Sequence, residues 1–228
     1  MQEAQRSIAF SGAESTSRPA FRANLVSQGC VRINNNSIYL AAKRFFDFTS
    51  ALMLAIAMLI PMAIVALVIR LDSPGPAIFK QERLGQDGKP FMMYKFRSMI
   101  QDAESCGPVW SQKEDARCTR VGRVIRKVRI DELPQLFNII RGDMSVVGPR
   151  PERTHFYREF DLYIPDFKYR LMAKPGLTGL AQVNGGYDLL PEEKIVYDLE
   201  YMANRTLWMD FKLILKTAGV VFSREGAR

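Results

Sequence analysis

The sequence predicts an α+β fold, predominantly helical, with a small β-hairpin, a proline-broken re-entrant membrane helix and interfacial amphipathic helices. Three observations carry this reading. The run "ALMLAIAMLIPMAIVALVI", Ala51 to Ile69, holds no charge and is broken by Pro61. Two short runs with β-forming residues, Ala77 to Arg83 and Phe91 to Phe96, flank the turn sequence "GQDGKP". In the C-terminal third, apolar residues recur at helical spacing with cations between them. At 228 residues the chain has the size of one ordinary domain with appendages.

Residues 1–42 are rich in Ser, Gln, Asn and Ala without apolar periodicity, and read as a disordered or loosely attached arm. A signal sequence would place its apolar run near the start, whereas here the run begins around residue 48, so the arm is expected to be retained. Residues 43–71 read as helix, break and helix. A helical Ala51–Ile69 would be about 28 Å long, close to the roughly 30 Å of bilayer hydrocarbon. Pro61 has no N–H for the carbonyl of Ala57 and pushes Ile60 away from helical angles, so a bend near mid-depth is expected. Lys43 and Arg44 precede the run, and Arg70, Lys80 and Arg83 follow it. Cations at both ends favour a hairpin that enters and leaves by the cytoplasmic face. A buried core helix and a simple kinked span are the alternatives.

In residues 72–228, Pro74, Gly75 and Pro76 end the helix, and the hairpin follows. It finishes with Lys95 and Arg97 on either side of Phe96, two cations on one strand face, which suits anion binding or a merely solvated surface. The most informative stretch is "TRVGRVIRKVRIDELPQLFNIIRGDMSVVGPRPE", Thr119 to Glu152. Arg120, Arg123, Arg126, Lys127 and Arg129 crowd two adjacent carboxylates, Asp131 and Glu132. Pro134 suits the first turn of a helix running to about Ile140 with Gly142 just past its end, which puts Asp131 at the capping position. A cap does not require a ring of arginines. A helix N-terminus lowers a carboxylate's pKa and stabilises phosphate, which suits an ionised nucleophile facing a phosphoryl group. Glu132 would hold a divalent cation or manage a proton, and such oxygen ligands select magnesium or manganese over zinc.

Other chemistries are poorly supplied. The one histidine, His155, reads as a surface residue and leaves no multi-histidine metal site. The three cysteines, Cys30, Cys106 and Cys118, form no C-x-x-C pair, which argues against a disulfide framework or a zinc site and fits a reducing compartment. The formal charge of +8 points to anionic partners, whether nucleic acid, lipid headgroups or phosphorylated substrates. Further on, "PDFKYRLMAK" and "LWMDFKLILKTAGVVF", with Leu207, Phe211, Ile214 and Leu215 near one face, suit either a membrane interface or core packing. The glycines of "KPGLTGLAQVNG" suit close approach to a nucleotide or a tight connection.

The series "KRFFD", the proline-broken run, "KQERLGQDGKPFMMYKFRSM", "IDELPQLFNIIRGDMSVVGPRPE" and "KPGLTGLAQVNG" resembles the bacterial sugar transferase family, the monotopic polyprenyl-phosphate phosphoglycosyl transferases. The motifs stand in the family's order from Lys43 to about Phe222. The resemblance implies an enzyme of the bacterial inner membrane with its catalytic domain on the cytoplasmic face. It would transfer a sugar 1-phosphate from a UDP-sugar to polyprenyl (undecaprenyl) phosphate, release UMP and start a glycan. Asp131 would be the nucleophile of a covalent phosphosugar intermediate, and Glu132 would complete the dyad. Mg2+, or Mn2+ in its place, would be held by Asp131 and Glu132. Arg126 and Arg150 match the family's phosphate-binding arginines, with Lys95 and Arg97 as further members. UDP-sugar, polyprenyl phosphate and the bilayer are the implied partners; nucleic acid is not among them, and homo-oligomerisation stays open. Three departures stand out. Ile60-Pro61 replaces the family's frequent Ser-Pro, Arg129-Ile130 replaces its frequent Ser-Leu before the acidic dyad, and "NGGYD" leaves no arginine at Gly186. The competing reading is a non-catalytic, membrane-tethered basic protein that binds nucleic acid or anionic lipid.

Overall fold

Asn36 opens the first helix, its side-chain oxygen accepting from the backbone N–H of Ile38 (2.9 Å) and Tyr39 (3.2 Å). The computed structural model describes residues 33–103, 107, 115–185 and 189–223. Most of the arm, Cys30, Cys106 and the Gly186 departure lie outside the described residues. Helix α1, Ser37–Ala57, begins inside the segment read as arm.

The inward face of α1 is spaced by four: Lys43, Asp47, Ala51 and Ala55 are buried. Its outward face carries exposed Phe45, Met53 and Ile56. Charges inside and large apolar groups outside invert the pattern of a helix solvated by water. Helix α2, Leu59–Asp72, repeats the outward display with Leu59, Ile60, Ile64, Leu67 and Leu71. No single described helix is long and apolar enough to cross a membrane, but α1 and α2 together are, bent by 61°. The bend falls at Met58 rather than at Pro61. Proline disrupts the turn before it and is tolerated within the first turn of a helix, where its missing N–H is not needed; Pro61 therefore starts α2 instead of splitting it.

Strands β1, Ile78–Leu84, and β2, Pro90–Phe96, pair antiparallel with Ile78 opposite Phe96. Their turn uses left-handed Asp87 (φ 57°) and Gly88 (φ 73°). Then follow α3, Arg120–Lys127, α4, Gln135–Arg141, β3, Ser145–Val147, and α5, Thr154–Tyr163. The last described elements are β4, Gly176–Thr178, α6, Leu180–Val183, α7, Pro191–Asn204, and α8, Leu207–Ser223. The architecture is mostly helical with the expected small hairpin. A second, parallel pair, β3 with β4, was not expected: three residues are too few to show a period. Here a methyl added at Gly148, Gly176 or Gly179 would overlap the opposing backbone, so these glycines serve a tight connection between chain segments.

Among the described residues, three apolar clusters hold the elements. One lies between α5, α7 and α8 around Phe167, Leu199, Tyr201 and Met202. Another joins α1 to α4 through Ala51, Ala55, Leu136 and Ile139, and a third joins α2, α3 and β2 through Met62, Ile69, Phe96 and Ile125. Phe167 of "PDFKYRLMAK" is thus core. The stripe read in α8 divides: Ile214 packs inward, while Leu207, Phe211 and Leu215 stay outside and are joined there by Trp208.

A buried polar network anchors α1. Lys43 Nζ lies 3.0 Å from Asp210 Oδ2 and 3.7 Å from Asp47 Oδ1. The Tyr39 hydroxyl donates to Asp210 (2.9 Å), and the Tyr201 hydroxyl lies 2.7 Å from its other oxygen. Asp47 accepts from Ser145 Oγ (2.7 Å) and from the Val146 N–H (3.1 Å) on β3. Removing one partner leaves a buried charge exposed to a poor solvent. Asp210→Ala is expected to cost about 3–5 kcal/mol, read as a lowered unfolding midpoint in detergent.

Candidate active site

Helix α3 stops at Val128, and Arg129 turns the chain with left-handed angles (φ 57°) into a 3-10 turn, Ile130–Glu132. Pro134, not Asp131, occupies the position before α4, and no side chain caps that helix. The turn runs into the helix through Leu133 N–H to Ile130 O (3.1 Å) and Leu136 N–H to Leu133 O (3.0 Å). These bonds take up N–H groups a cap would serve, so Asp131 has no capping role and stands one turn ahead of α4.

Asn138 attaches α4 to the hairpin. Its Oδ1 accepts from the Tyr94 N–H (3.0 Å) and its Nδ2 donates to Met92 O (2.7 Å), in the manner of a missing third strand. At the other end Arg44 of α1 donates to the carbonyls of Ile139 (2.6 Å) and Ile140 (2.8 Å), where a helix C-terminus favours a cation. The dyad is thereby set between the hairpin, α3 and the loop after β3.

Asp131 and Glu132 are each only 8 % exposed. Glu132 Oε1 accepts from Lys95 Nζ (3.1 Å) and from an Arg150 guanidinium nitrogen (2.7 Å). Burial alone would raise the Glu132 pKa, but Arg150 and then Lys95 outweigh it and hold this carboxyl well below the usual range. Asp131 is left out of these hydrogen bonds. Burial pushes its pKa up to about 6; Lys95 opposes the rise, the Glu132 charge adds to it, and Arg126 and Arg150 oppose it. The sequence expectation of a lowered pKa is therefore reversed, because desolvation acts where helix capping was assumed. Two neighbouring carboxyls are driven apart, one a fixed anion and the other titrating near neutrality. In divalent-free protein the Asp131 carboxyl is expected to titrate near pH 6, ionised above and neutral below, as followed by carbon NMR of labelled aspartate.

The structure brings Lys95, Arg126 and Arg150 around the dyad. Lys95 comes from β2, Arg126 from α3, and Arg150 from the loop between Pro149 and Pro151. Arg126 also donates to Cys118 Sγ (3.4 Å). Arg97 is not brought to the site. Arg97 stands just past the last residue of β2, and its guanidinium turns to the end of α2. There it donates to the carbonyls of Ser73 (2.7 Å) and Pro74 (2.6 Å). Two residues near the dyad were not read as part of the site from the sequence. Buried Arg170 donates to the Arg150 carbonyl (3.0 Å), and Gln135, four residues past Asp131, keeps its buried Nε2 without a partner among the described residues. An arginine inside "PDFKYRLMAK" and a glutamine opening a helix carry no periodic signal that separates them from surface residues.

Among the described residues no group of three or more His, Cys, Asp or Glu side chains gathers as a metal cage. The dyad instead offers hard oxygen donors: the Asp131 carboxylate and the Glu132 oxygen not engaged by Lys95 and Arg150. That set fits magnesium, which takes one or two carboxylates and completes its shell with substrate phosphates and water.

A family model described as "Bacterial sugar transferase" matches residues 38–224. The chain is 45 % identical over 195 residues to the UDP-N-acetylgalactosamine-undecaprenyl-phosphate N-acetylgalactosaminephosphotransferase of Aeromonas hydrophila, covering 84 % of this chain and 46 % of that protein. It is 55 % identical over 134 residues to a Bacillus subtilis (strain 168) protein named putative undecaprenyl-phosphate N-acetylgalactosaminyl 1-phosphate transferase, covering 58 % and 74 %. With the UDP-glucose:undecaprenyl-phosphate glucose-1-phosphate transferase of Caulobacter vibrioides it shares 41 % identity over 190 residues, covering 81 % and 71 %. The chain thus spans about half the length of the Aeromonas relative and most of the two shorter ones.

Proposed function

The chain belongs to the bacterial sugar transferase family, and from that premise we propose that it transfers a sugar 1-phosphate from a UDP-sugar to undecaprenyl phosphate, releasing UMP and initiating assembly of a surface glycan. The observation that carries the reading is the divided dyad: a buried carboxylate free of hydrogen bonds to Lys95 and Arg150, beside one that binds both.

Asp131 supplies the nucleophile. One of its carboxylate oxygens bonds to the phosphorus that carries the sugar, and the bond from that phosphorus to the bridging oxygen of UMP breaks, so UMP leaves with the electron pair. An oxygen of the lipid phosphate then attacks the same phosphorus and expels the Asp131 carboxylate. Both steps bring anions together, and Lys95, Arg126 and Arg150 offset the repulsion with fixed positive charge. Glu132 keeps Lys95 and Arg150 oriented while staying ionised itself. Magnesium, held by Asp131 and Glu132, would neutralise charge on the donor diphosphate.

The inverted faces of α1 and α2 support placing them as a re-entrant hairpin in the cytoplasmic leaflet of the inner membrane, with the Trp208 face of α8 at the headgroups. A bend of 61° at Met58 suits a chain that enters obliquely and returns to the same face. A dyad beside this hairpin meets the lipid phosphate without drawing its tail from the bilayer.

The test is incubation with undecaprenyl phosphate, magnesium and separate UDP-N-acetylgalactosamine, UDP-glucose, UDP-galactose and further UDP-sugars. One donor is expected to yield equal amounts of UMP and lipid-linked sugar diphosphate. Failure of every donor to give lipid product, or sugar phosphate appearing free in solution, overturns the reading.

A further inference from the structure

We propose that Arg170 is a positioning residue: clamped by Asp198 on α7, it fixes the backbone of the Pro149–Pro151 loop so that Arg150 reaches the acidic dyad. The inference rests on the reading that Arg150, Asp131 and Glu132 carry the transfer.

The loop lacks its own means of support. Pro149 and Pro151 have no N–H groups, so two of the three backbone donors of the segment are missing and its carbonyls carry much of its attachment. The carbonyls are met from other parts of the fold. Pro149 O accepts from the Gly176 N–H of β4 (2.8 Å), Pro151 O from the Arg83 guanidinium of β1 (3.1 Å), and Glu152 O from the Leu84 N–H (3.4 Å). The carbonyl of Arg150 itself accepts from Arg170 (3.0 Å). Arg170 therefore grips the very residue whose guanidinium lies 2.7 Å from Glu132.

Arg170 is set for this task by its surroundings. It is 5 % exposed, its Nε donates to Asp198 Oδ2 at 2.6 Å, and its guanidinium carbon lies 4.9 Å from the centre of the Phe167 ring. Another of its nitrogens is 3.9 Å from Glu152 Oε1. A planar fork can hold the Asp198 carboxylate with one nitrogen and the Arg150 carbonyl with another at the same time. A lysine gathers its donors on one nitrogen and lacks the planar fork that meets the two acceptors in fixed directions. The result is a continuous path of hydrogen bonds from α7 to the dyad: Asp198, Arg170, the Arg150 backbone, the Arg150 side chain and Glu132.

Lost packing and lost positioning both lower activity, so the experiment is a double-mutant cycle in full-length protein. The variants are Arg170→Lys, Arg150→Ala and the pair, each compared by kcat/KM for the UDP-sugar after normalising to folded protein. With Arg150 present, Arg170→Lys is expected to lower kcat/KM by about 10- to 100-fold; with Arg150 already truncated, the same change is expected to lower it less than about 2-fold. Equal losses in both backgrounds would mean that Arg170 acts by general stability, and no loss in either would mean that the loop holds itself; each overturns the assignment. Should Arg170→Lys not fold, Asp198→Asn takes its place in the cycle with the same expectations. Absence of lipid product from the wild-type chain would instead strike the functional reading, so the two failures are told apart.

Discussion

Asp131→Asn is expected to lower turnover by about 10⁴-fold or more while leaving the protein better folded than before. The amide preserves the volume of a side chain that is 8 % exposed, but it offers no anionic oxygen to phosphorus. Intact-mass measurement of the wild type mixed with UDP-sugar, without lipid acceptor, should reveal a phosphosugar adduct that the variant lacks. The opposite sign for stability follows from the same burial. The Asp131 pKa is raised from 3.8 to about 6 on folding, so its contribution to stability is present below pH 4 and is lost as pH rises through 6. An uncharged amide escapes that loss, and the variant should gain about 1–3 kcal/mol at pH 7, a gain that fades below pH 4. Retained lipid-product formation would remove Asp131 from the chemistry; an unfolding midpoint that drops at pH 7 would contradict the burial argument. Activity lost together with stability gained is the mark of a group kept for function.

Glu132→Gln carries the second large effect. The substitution keeps an oxygen for Lys95 and Arg150 but takes away the charge that balances them in a site sealed from water. A buried ion pair that loses one partner is typically destabilised by about 3–5 kcal/mol, and the retained amide places this variant toward the lower end. Turnover is expected to fall by about 10²–10³-fold, because Arg150 and Lys95 are then free to lock onto Asp131. The Asp131 titration in divalent-free protein should move below pH 6, since the Glu132 charge is among the causes holding it up. An unmoved titration would show that the two carboxyls do not sense each other, and an unfolding midpoint equal to wild type would show that the Glu132 charge is not needed to balance Lys95 and Arg150.

Legibility in the sequence followed the range of the forces involved. The hairpin emerged within a residue of its observed ends because alternation and the "GQDGKP" turn are local signals. Helix α4 and its glycine stop at Gly142 (φ 95°) were legible for the same reason. The break in the apolar run was expected, and its displacement to Met58 reflects a proline acting on the turn before itself. Lys95 and Arg97 look alike in sequence, two cations around one phenylalanine, yet the first meets Glu132 and the second closes the end of α2. Their separation depends on which distant acceptors each meets, the Glu132 carboxylate for one and the carbonyls of Ser73 and Pro74 for the other. Asp131 read as a cap because a following proline at helix start is a sound local sign, but the continuous turn through Leu133 made a cap unnecessary.

By itself the sequence determined the hairpin, helix α4, the apolar run with its break, and the adjacency of two carboxylates in a cationic stretch, since each is written in neighbouring residues. Tertiary structure alone decided that Glu132 is gripped by cations 37 and 18 positions away while Asp131 is not. It likewise turned Lys43 and Asp47 inward to residues far along the chain and rested the Arg150 loop on Arg170. The physical reason is that burial and charge pairing act through space: what a carboxyl becomes depends on which distant side chains exclude its water, and that is settled only when the chain has packed.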